Sequence, residues 1–265
     1  MTALADLDTI AGGVASGSCV YLGGAVLRRK PLAFVRALVA AGVRDLDVVT
    51  FTGSLDVELL LAGDAVRSIS SAYVGLGSVG FAPRFSAAAR AGTVRDVEHT
   101  EWTLLGRLRA AAMGVPFLPT RAGAGSEVVD ALGFERVRDP YSGASYLALP
   151  PLRPDVAVLH AWRASPAGDV QLPWPPEHLW DVDVLAARAA ERVVVTVEEV
   201  VPEATVAAAP ELTRLFGFEV DAVVETPGGA WPTASPPVHD TDEAAVAAYA
   251  ASGGDLDALQ RTAAR

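Results

Sequence analysis

Several residue types and patterns are scarce in this chain, and each shortage closes off a class of function. Cys19 is the only cysteine among 265 residues, so no internal disulfide and no C-x-x-C metal or redox pair can form. It lies in the apolar run SCVYL, which suits a buried structural thiol better than a nucleophile. The four histidines never fall at H-x-x-x-H spacing, so no metal centre is expected. A G-x-S-x-G elbow is missing, which removes the usual support for a serine-hydrolase triad. No apolar stretch is long enough to cross a bilayer. The amino-terminal segment lacks a basic stretch leading into an apolar core, so no signal peptide is expected and a reducing cytoplasm is the expected location. Lysine is scarce, and 21 basic residues stand against 32 acidic ones, for a formal net charge of −11. Such a surface repels phosphate backbones, so nucleic acid is not an expected partner, and neither is a membrane. No internal repeat or low-complexity tail is evident.

What remains is a globular composition, 51% hydrophobic and 20% charged, long enough for one large α/β domain over residues 1–265. Short apolar runs alternate with segments of helical periodicity. SCVYL, LDVVTF, VRSISSAYV, TVRDVEH, DVAVLHAW and RVVVTVEEVV read as strands, and another strand falls within residues 213–234. Residues 4–15, PLAFVRALVAAG, residues 55–62, PRFSAAARAG, TEWTLLGRLRAAAMG and VDVLAARAAE read as helices, with Thr100 a candidate N-cap and Gly42 and Gly114 as stops. Two further helices close the chain. Residues 118–154, rich in Pro, Gly and Ser, read as irregular, and LPWPPEH as an inserted loop. Alternating strands and helices predict an α/β fold: an open, mostly parallel sheet with helices on both faces.

Four stretches are candidates for chemistry. Gly23 and Gly24, followed by Arg28, Arg29 and Lys30, stand at the carboxyl end of the first strong strand. Open α/β sheets bind ligands at such ends, where freed backbone N–H groups and cations suit an anion. The alternative is a glycine turn beside solvated cations. Gly75 to Gly80 spells G-x-G-x-x-G, with Asp96 and Glu98 on the next strand. A dinucleotide site would use these glycines for close approach of pyrophosphate, but Pro83 breaks the run-in and the turn follows the third strand rather than the first, so a tight turn is the plainer reading. Arg121, Gly123, Gly125 and Ser126 form a glycine-rich stretch able to approach substrate or a neighbouring subunit, or merely to turn. Glu101 opens a helix, where the helix dipole favours a carboxylate for structural reasons. It also follows a strand end beside Trp102, where a carboxylate could act as base or nucleophile. His99 and His160 each close a strand and read as packed residues.

Taken in order, GGAVLRRKPLAFVRALVAAGVRDLDVVT, GLGSVGFAPRFSAAARAG, EWTLLGRLRAAAMGVPFLPTRAGAGS, LRPDVAVLHAWRASPAGDVQ and RVVVTVEEVV resemble the α subunit of a family I coenzyme A transferase of the glutaconate type, over roughly Gly23 to Thr233. GGAVLRRKPLAFVRA and VETPGGAWPTASPP also resemble the α subunit of a cholesterol-catabolic ring-opening hydrolase of the same superfamily. The resemblance implies an acyl-CoA substrate, coenzyme A as co-substrate with no permanently bound cofactor, and pairing in an αβ or α2β2 assembly with a homologous β subunit. It implies substrate or CoA contacts at Gly23, Gly24, Arg28, Arg29, Lys30, Gly75, Gly77, Arg121, Gly123, Gly125 and Ser126. In the transferases the nucleophilic glutamate, which forms a glutamyl-CoA intermediate, belongs to the β subunit, and Glu101 would support the site. In the ring-opening hydrolases the catalytic glutamate lies on the α subunit in the segment matching EHTEWTLLGRLRAAA, which assigns that role to Glu101. Val26 stands where the family's third loop glycine is expected. An inert binding or scaffold subunit is the reading from a different class, and a nicotinamide-dependent oxidoreductase a distant third.

Overall fold

The computed structural model describes residues 3–263. The strands are β1 (Ala3–Leu4), β2 (Cys19–Leu22), β3 (Leu46–Gly53), β4 (Val66–Val74), β5 (Arg95–Glu98), β6 (Leu118–Thr120), β7 (Arg136–Arg138), β8 (Ser145–Leu149), β9 (Val156–Ala164), β10 (Val170–Gln171), β11 (Arg192–Val200), β12 (Thr213–Leu215) and β13 (Ala222–Glu225). The helices are α1 (Leu7–Gly12), α2 (Leu32–Ala40), α3 (Leu55–Ala62), α4 (Pro83–Ala91), α5 (Glu101–Ala112), α6 (Glu127–Ala131), α7 (Trp180–Ala189), α8 (Glu203–Ala207), α9 (Glu243–Ala251) and α10 (Leu256–Ala263).

Eight strands form one parallel sheet in the order β1-β13-β11-β9-β2-β3-β4-β5, and β10 and β12 extend it antiparallel from β9. The central strands are almost continuously apolar because both of their faces are covered. The period-two alternation divides them between two cores. Val20 and Leu22 of β2 pack with α2, α3 and α9, while Tyr21 between them packs with α5 and α7 on the opposite face. The expected mostly parallel α/β architecture is the one found.

Two expectations need correction. The first helix starts at Leu7 rather than Leu4, because Asp6 accepts the Thr9 N–H as N-cap and Leu4 is drawn into pairing with β13. Residues 118–154 are not irregular. They form a second, antiparallel sheet in the order β6-β8-β7, and Leu147, Leu149 and Val129 of α6 make its small core. Strands of three to five residues between glycine turns carry too little periodicity to be read locally.

The chain order places the site. From β2 the sheet grows through β3, β4 and β5, and the chain then returns to the other side of β2 to lay down β9, β11 and β13. The direction of growth therefore reverses between β2 and β9, and in open α/β sheets the crevice outside the carboxyl ends at such a reversal is where ligands bind.

Candidate active site

The loop leaving β2 enters this crevice. Gly23 donates its N–H to Val158 O of β9 at 2.9 Å and Gly24 donates to Asp183 Oδ1 at 3.0 Å. Both glycines are required by space. A methyl on Gly23 would lie 2.7 Å from Leu159 Cδ2, and one on Gly24, whose φ is +80°, would run into the carbonyls of Arg28 and Arg29. Ala25 and Arg28 then close a tight turn with reciprocal backbone bonds of 2.9 and 3.0 Å. Val26 sits inside that turn at φ +51°, a costly conformation for a β-branched residue. The third glycine expected from the family pattern would adopt it freely. The strained backbone is held from β3, since Val26 N–H reaches Thr52 Oγ1 at 3.1 Å and Ser54 Oγ donates to Val26 O.

The fold splits the three cations that follow. Arg28 is exposed. Arg29 is buried and donates from Nη1 to Asp183 Oδ2 at 2.7 Å and to His160 O at 3.3 Å, and from Nε to Glu177 Oε2 at 3.3 Å. Burial works against its charge, but Asp183 and then Glu177 outweigh it and hold its pKa above the usual arginine value. Lys30, the chain's only lysine, is 0% exposed. Its Nζ lies 3.0 Å from Asp56 Oδ2 and 3.1 Å from Thr50 Oγ1, and Asp56 also accepts the Ser54 N–H at 2.6 Å. The charges of Arg29 and Lys30 are thus spent inside the chain, and of the three expected phosphate contacts Arg28 alone faces solvent. The switch-point crevice is filled by the Arg29 network, which moves the ligand-facing surface outward to the Ala25–Arg28 turn.

A second carboxylate network backs this loop from the other side. Glu198, near the end of β11, accepts from Gly228 N–H at 2.6 Å and contacts His160 Nε2 at 2.9 Å. Although burial raises its pKa, bonds from His160, Ser235 and Gly228 prevail and bring it down to about 2. Burial lowers the pKa of His160, so the ring is neutral beside an ionised acid. Nε2 faces the Glu198 carboxylate, and Nδ1 lies 2.9 Å from Thr196 Oγ1, whose hydroxyl donates to Leu159 O at 3.0 Å. Ser235 Oγ also lies on Nε2, at 3.2 Å, rather than across the ring from the acid. That is not the geometry of a nucleophilic triad. The network instead secures residues 226–241, whose Ala234 bonds to Leu27 and Arg29 of the glycine loop at 2.8 and 2.7 Å.

Along the same edge, Gly75 is buried while Gly77 is exposed and packs against Val26 and Leu27, so the second glycine stretch meets the first. The third glycine stretch joins Glu101: a methyl on Gly123 would lie 3.9 Å from Thr100 Oγ1. Arg121 and Gly125 are exposed, and Ser126 is half-buried and caps α6 by accepting the Val129 N–H at 3.3 Å. Thr100 caps α5 through Thr103 N–H at 3.1 Å, which leaves Glu101 exposed in the first turn beside exposed Trp102. Glu101 makes no ion pair among the described residues. It follows β5, three strand spacings from β2, or roughly 14 Å along the carboxyl edge.

His99, just before it, is buried, and burial followed by the Arg107 charge pushes its pKa down to about 4. Thr103 Oγ1 donates to Thr100 O at 3.0 Å and so receives the Nδ1 proton of His99, which leaves a bare Nε2 facing Arg107. Because the folded pKa lies below 6.5, the unfolded chain binds more protons between pH 6.5 and 4. The stability that neutral His99 supplies is complete above that window and is lost as pH falls through it, an effect on the order of 3 kcal/mol. Urea midpoints measured from pH 7 to 4 are expected to fall, and His99→Gln to flatten part of the decline.

Burial, then Asp155 and Asp47, raise the Cys19 pKa to about 11, so the thiol stays protonated and is no nucleophile. Among the described residues no group of three His, Cys, Asp or Glu side chains is placed to hold a metal ion. The functional residues that local sequence patterns did not mark are acids: Asp56, Asp183, Glu177 and Glu198. A signal existed for two of them, since Asp56 in SLDVELLLAG and Asp183 in DVDVLAARAA interrupt apolar helical faces, and a buried acid requires a cation.

The coenzyme A transferase family model matches residues 6–226, and the chain belongs to that family. It is 35% identical over 249 residues to the IpdA component of a cholesterol ring-cleaving hydrolase from Mycobacterium tuberculosis, covering 89% of this chain and 83% of that one. It is 30% identical over 260 residues to the corresponding glutaconate CoA-transferase chain of Acidaminococcus fermentans, covering 91% of this chain and 80% of that one. The crystal structure of that transferase superposes with TM-score 0.88 at 27% identity, over 99% of this chain and 88% of the other. The decarboxylase AibA/AibB superposes equally well, TM-score 0.88 at 31% identity, over 100% and 99%. An uncharacterized Archaeoglobus fulgidus protein is 32% identical over 92% of this chain, which spans only 54% of its length.

Proposed function

We propose that this chain is the α subunit of a heteromeric enzyme acting on acyl-CoA thioesters, and that the reaction moves coenzyme A between carboxylic acids. One observation carries the reading. The buried acids near the crevice are already committed, Asp56 to Lys30, Asp183 and Glu177 to Arg29, and Glu198 to His160, so the edge offers a shaped glycine surface without an activated nucleophile. A half-site of this kind calls for a homologous β subunit to bring the attacking carboxylate, in an αβ or α2β2 assembly. Gly23, Gly24, Gly75 and Gly77 shape the surface for the thioester, Arg28 and Arg121 are the exposed cations for CoA phosphates, and coenzyme A is a co-substrate rather than a resident group. No helix among the described residues is long and apolar enough to cross a membrane, and we place the enzyme in the cytoplasm.

Hydrolytic ring opening of a cyclic acyl-CoA is the second reading, favoured by the free, exposed Glu101 at the carboxyl edge. There it would act as base toward water or substrate.

The test uses this chain co-purified with its partner, a panel of acyl-CoA thioesters, borohydride trapping and intact-mass spectrometry, with wild type and Glu101→Gln in parallel. For transfer, a reduced glutamate is expected on the partner, and Glu101→Gln retains activity within about tenfold. Thioester consumed without an adduct, together with a loss of about 10²–10⁴-fold in Glu101→Gln, would replace transfer by hydrolysis. No turnover and no adduct with any thioester would leave a scaffold role.

A further inference from the structure

On the face of the sheet that carries α2, α3 and α10 there is a groove of about 360 Å³. Val39, Leu59, Trp231, Leu256 and Leu259 supply apolar walls, and among the described residues Arg36 is the one charged residue lining it. The groove owes its depth to Gly63 at the end of α3, where a methyl would lie 2.7 Å from Val39 Cγ2. Its volume falls at the lower end of small-ligand pockets, which run roughly 300–1,000 Å³.

Arg36 makes this more than a patch of exposed carbon. Nη2 donates to Trp231 O at 3.1 Å, and Nε and Nη1 have no hydrogen-bond partner among the described residues. No carboxylate among the described residues pairs with it, in contrast to Arg29, Arg67 and Arg188. Arg36 is exposed as a residue, and the apolar surroundings of its guanidinium lower its pKa. A guanidinium with a free donor edge at the mouth of an apolar groove is matched by a ligand with a planar anionic head and an apolar tail.

We propose that this groove binds a small amphipathic carboxylate, its head on the free edge of Arg36 and its alkyl chain along Leu59, Trp231 and Leu259. The site lies apart from the glycine-loop edge and does not depend on the reaction assigned there. The segment containing Trp231 joins it to that edge: Gly229 O accepts from Ala33 N–H at 2.8 Å and Ala234 N–H donates to Leu27 O at 2.8 Å.

Decanoate is the probe. Isothermal titration into the full chain, alone and with its co-purified partner, is expected to show one saturable site in both. Octanoate is expected to bind roughly fifteenfold more weakly, about fourfold for each methylene lost. Decan-1-ol, with the same tail and no charge, is expected to bind at least tenfold more weakly than decanoate. Arg36→Met, which keeps the alkyl stem, is expected to abolish that preference while leaving the thermal midpoint within a few degrees. Trp231→Phe is expected to remove the tryptophan fluorescence change while leaving the calorimetric binding. Absence of saturable binding to wild type, or decanoate affinity unchanged in Arg36→Met, would overturn the proposal. Binding that is present in the isolated chain and lost with the partner bound would also overturn it, and would make the groove a protein interface.

Discussion

Lys30→Met is expected to lower the unfolding free energy by about 3–5 kcal/mol, because it leaves the Asp56 carboxylate buried without its cation. Neither side chain of the pair is exposed, and at 3.0 Å their attraction acts in a poorly screened interior. Methionine retains most of the lysine stem's packing, so the loss isolates the charge. For a chain of this length the thermal midpoint is expected to fall by about 10 °C. Lys30→Met/Asp56→Leu is expected to recover much of the loss, since removing both charges ends the desolvation penalty, with the remainder set by the Ser54 N–H that loses its acceptor. Urea denaturation of the two single variants and the double variant closes the cycle. A double variant no better than either single one would mean that the pair has a further task. The position of that task would be Val26, because Asp56 holds the Ser54 N–H and Ser54 Oγ bonds to Val26 O.

Arg29→Met is expected to cost at least as much, about 3–5 kcal/mol, and to resist simple repair. Arg29 answers two carboxylates, Asp183 at 2.7 Å and Glu177 at 3.3 Å. Arg29→Met/Asp183→Leu therefore still leaves Glu177 buried and unpaired, and it also removes the acceptor of the Gly24 N–H. The double variant is expected to remain well below wild type, unlike its Lys30 counterpart. Amide exchange supplies the local readout: the Gly24 N–H is expected to lose protection in Asp183→Leu more than in Lys30→Met. Equal recovery in the two cycles would show that Glu177 contributes little to holding Arg29.

Much of the architecture could be read from local pattern. PRFSAAARAG begins its helix at Pro83 and ends at Gly92 in the left-handed conformation, and residues 55–62 and 66–74 form a helix and a strand with the expected limits. Thr100 caps α5 as its spacing implies. These features depend on neighbours within a turn or a pleat, so a short window contains their cause. The glycine stretches were legible as places of close backbone approach, and they do gather along one edge. Which two strands flank the reversal was not legible, because β2 lies beside β9, more than a hundred residues onward.

The sequence by itself determined that this is a globular acidic chain with one thiol, that it alternates short buried strands with amphipathic helices, and that its glycines cluster at strand ends. Apolar periodicity records only whether a position is buried, and burial of carbon needs no particular partner. Charge is different. A buried cation must find an anion, and nothing near RRKP in the chain says which one. Tertiary structure alone decided that Lys30 meets Asp56, that Arg29 meets Asp183 and Glu177, and that Arg28 is left to solvent. It likewise decided that Arg36 stands over an apolar groove with no carboxylate beside it among the described residues. The Arg29 pairing is set by the sheet's crossover, which brings α7 over β2 across 154 residues of chain, and the Lys30 pairing by β3 lying beside β2, which brings the start of α3 to the loop.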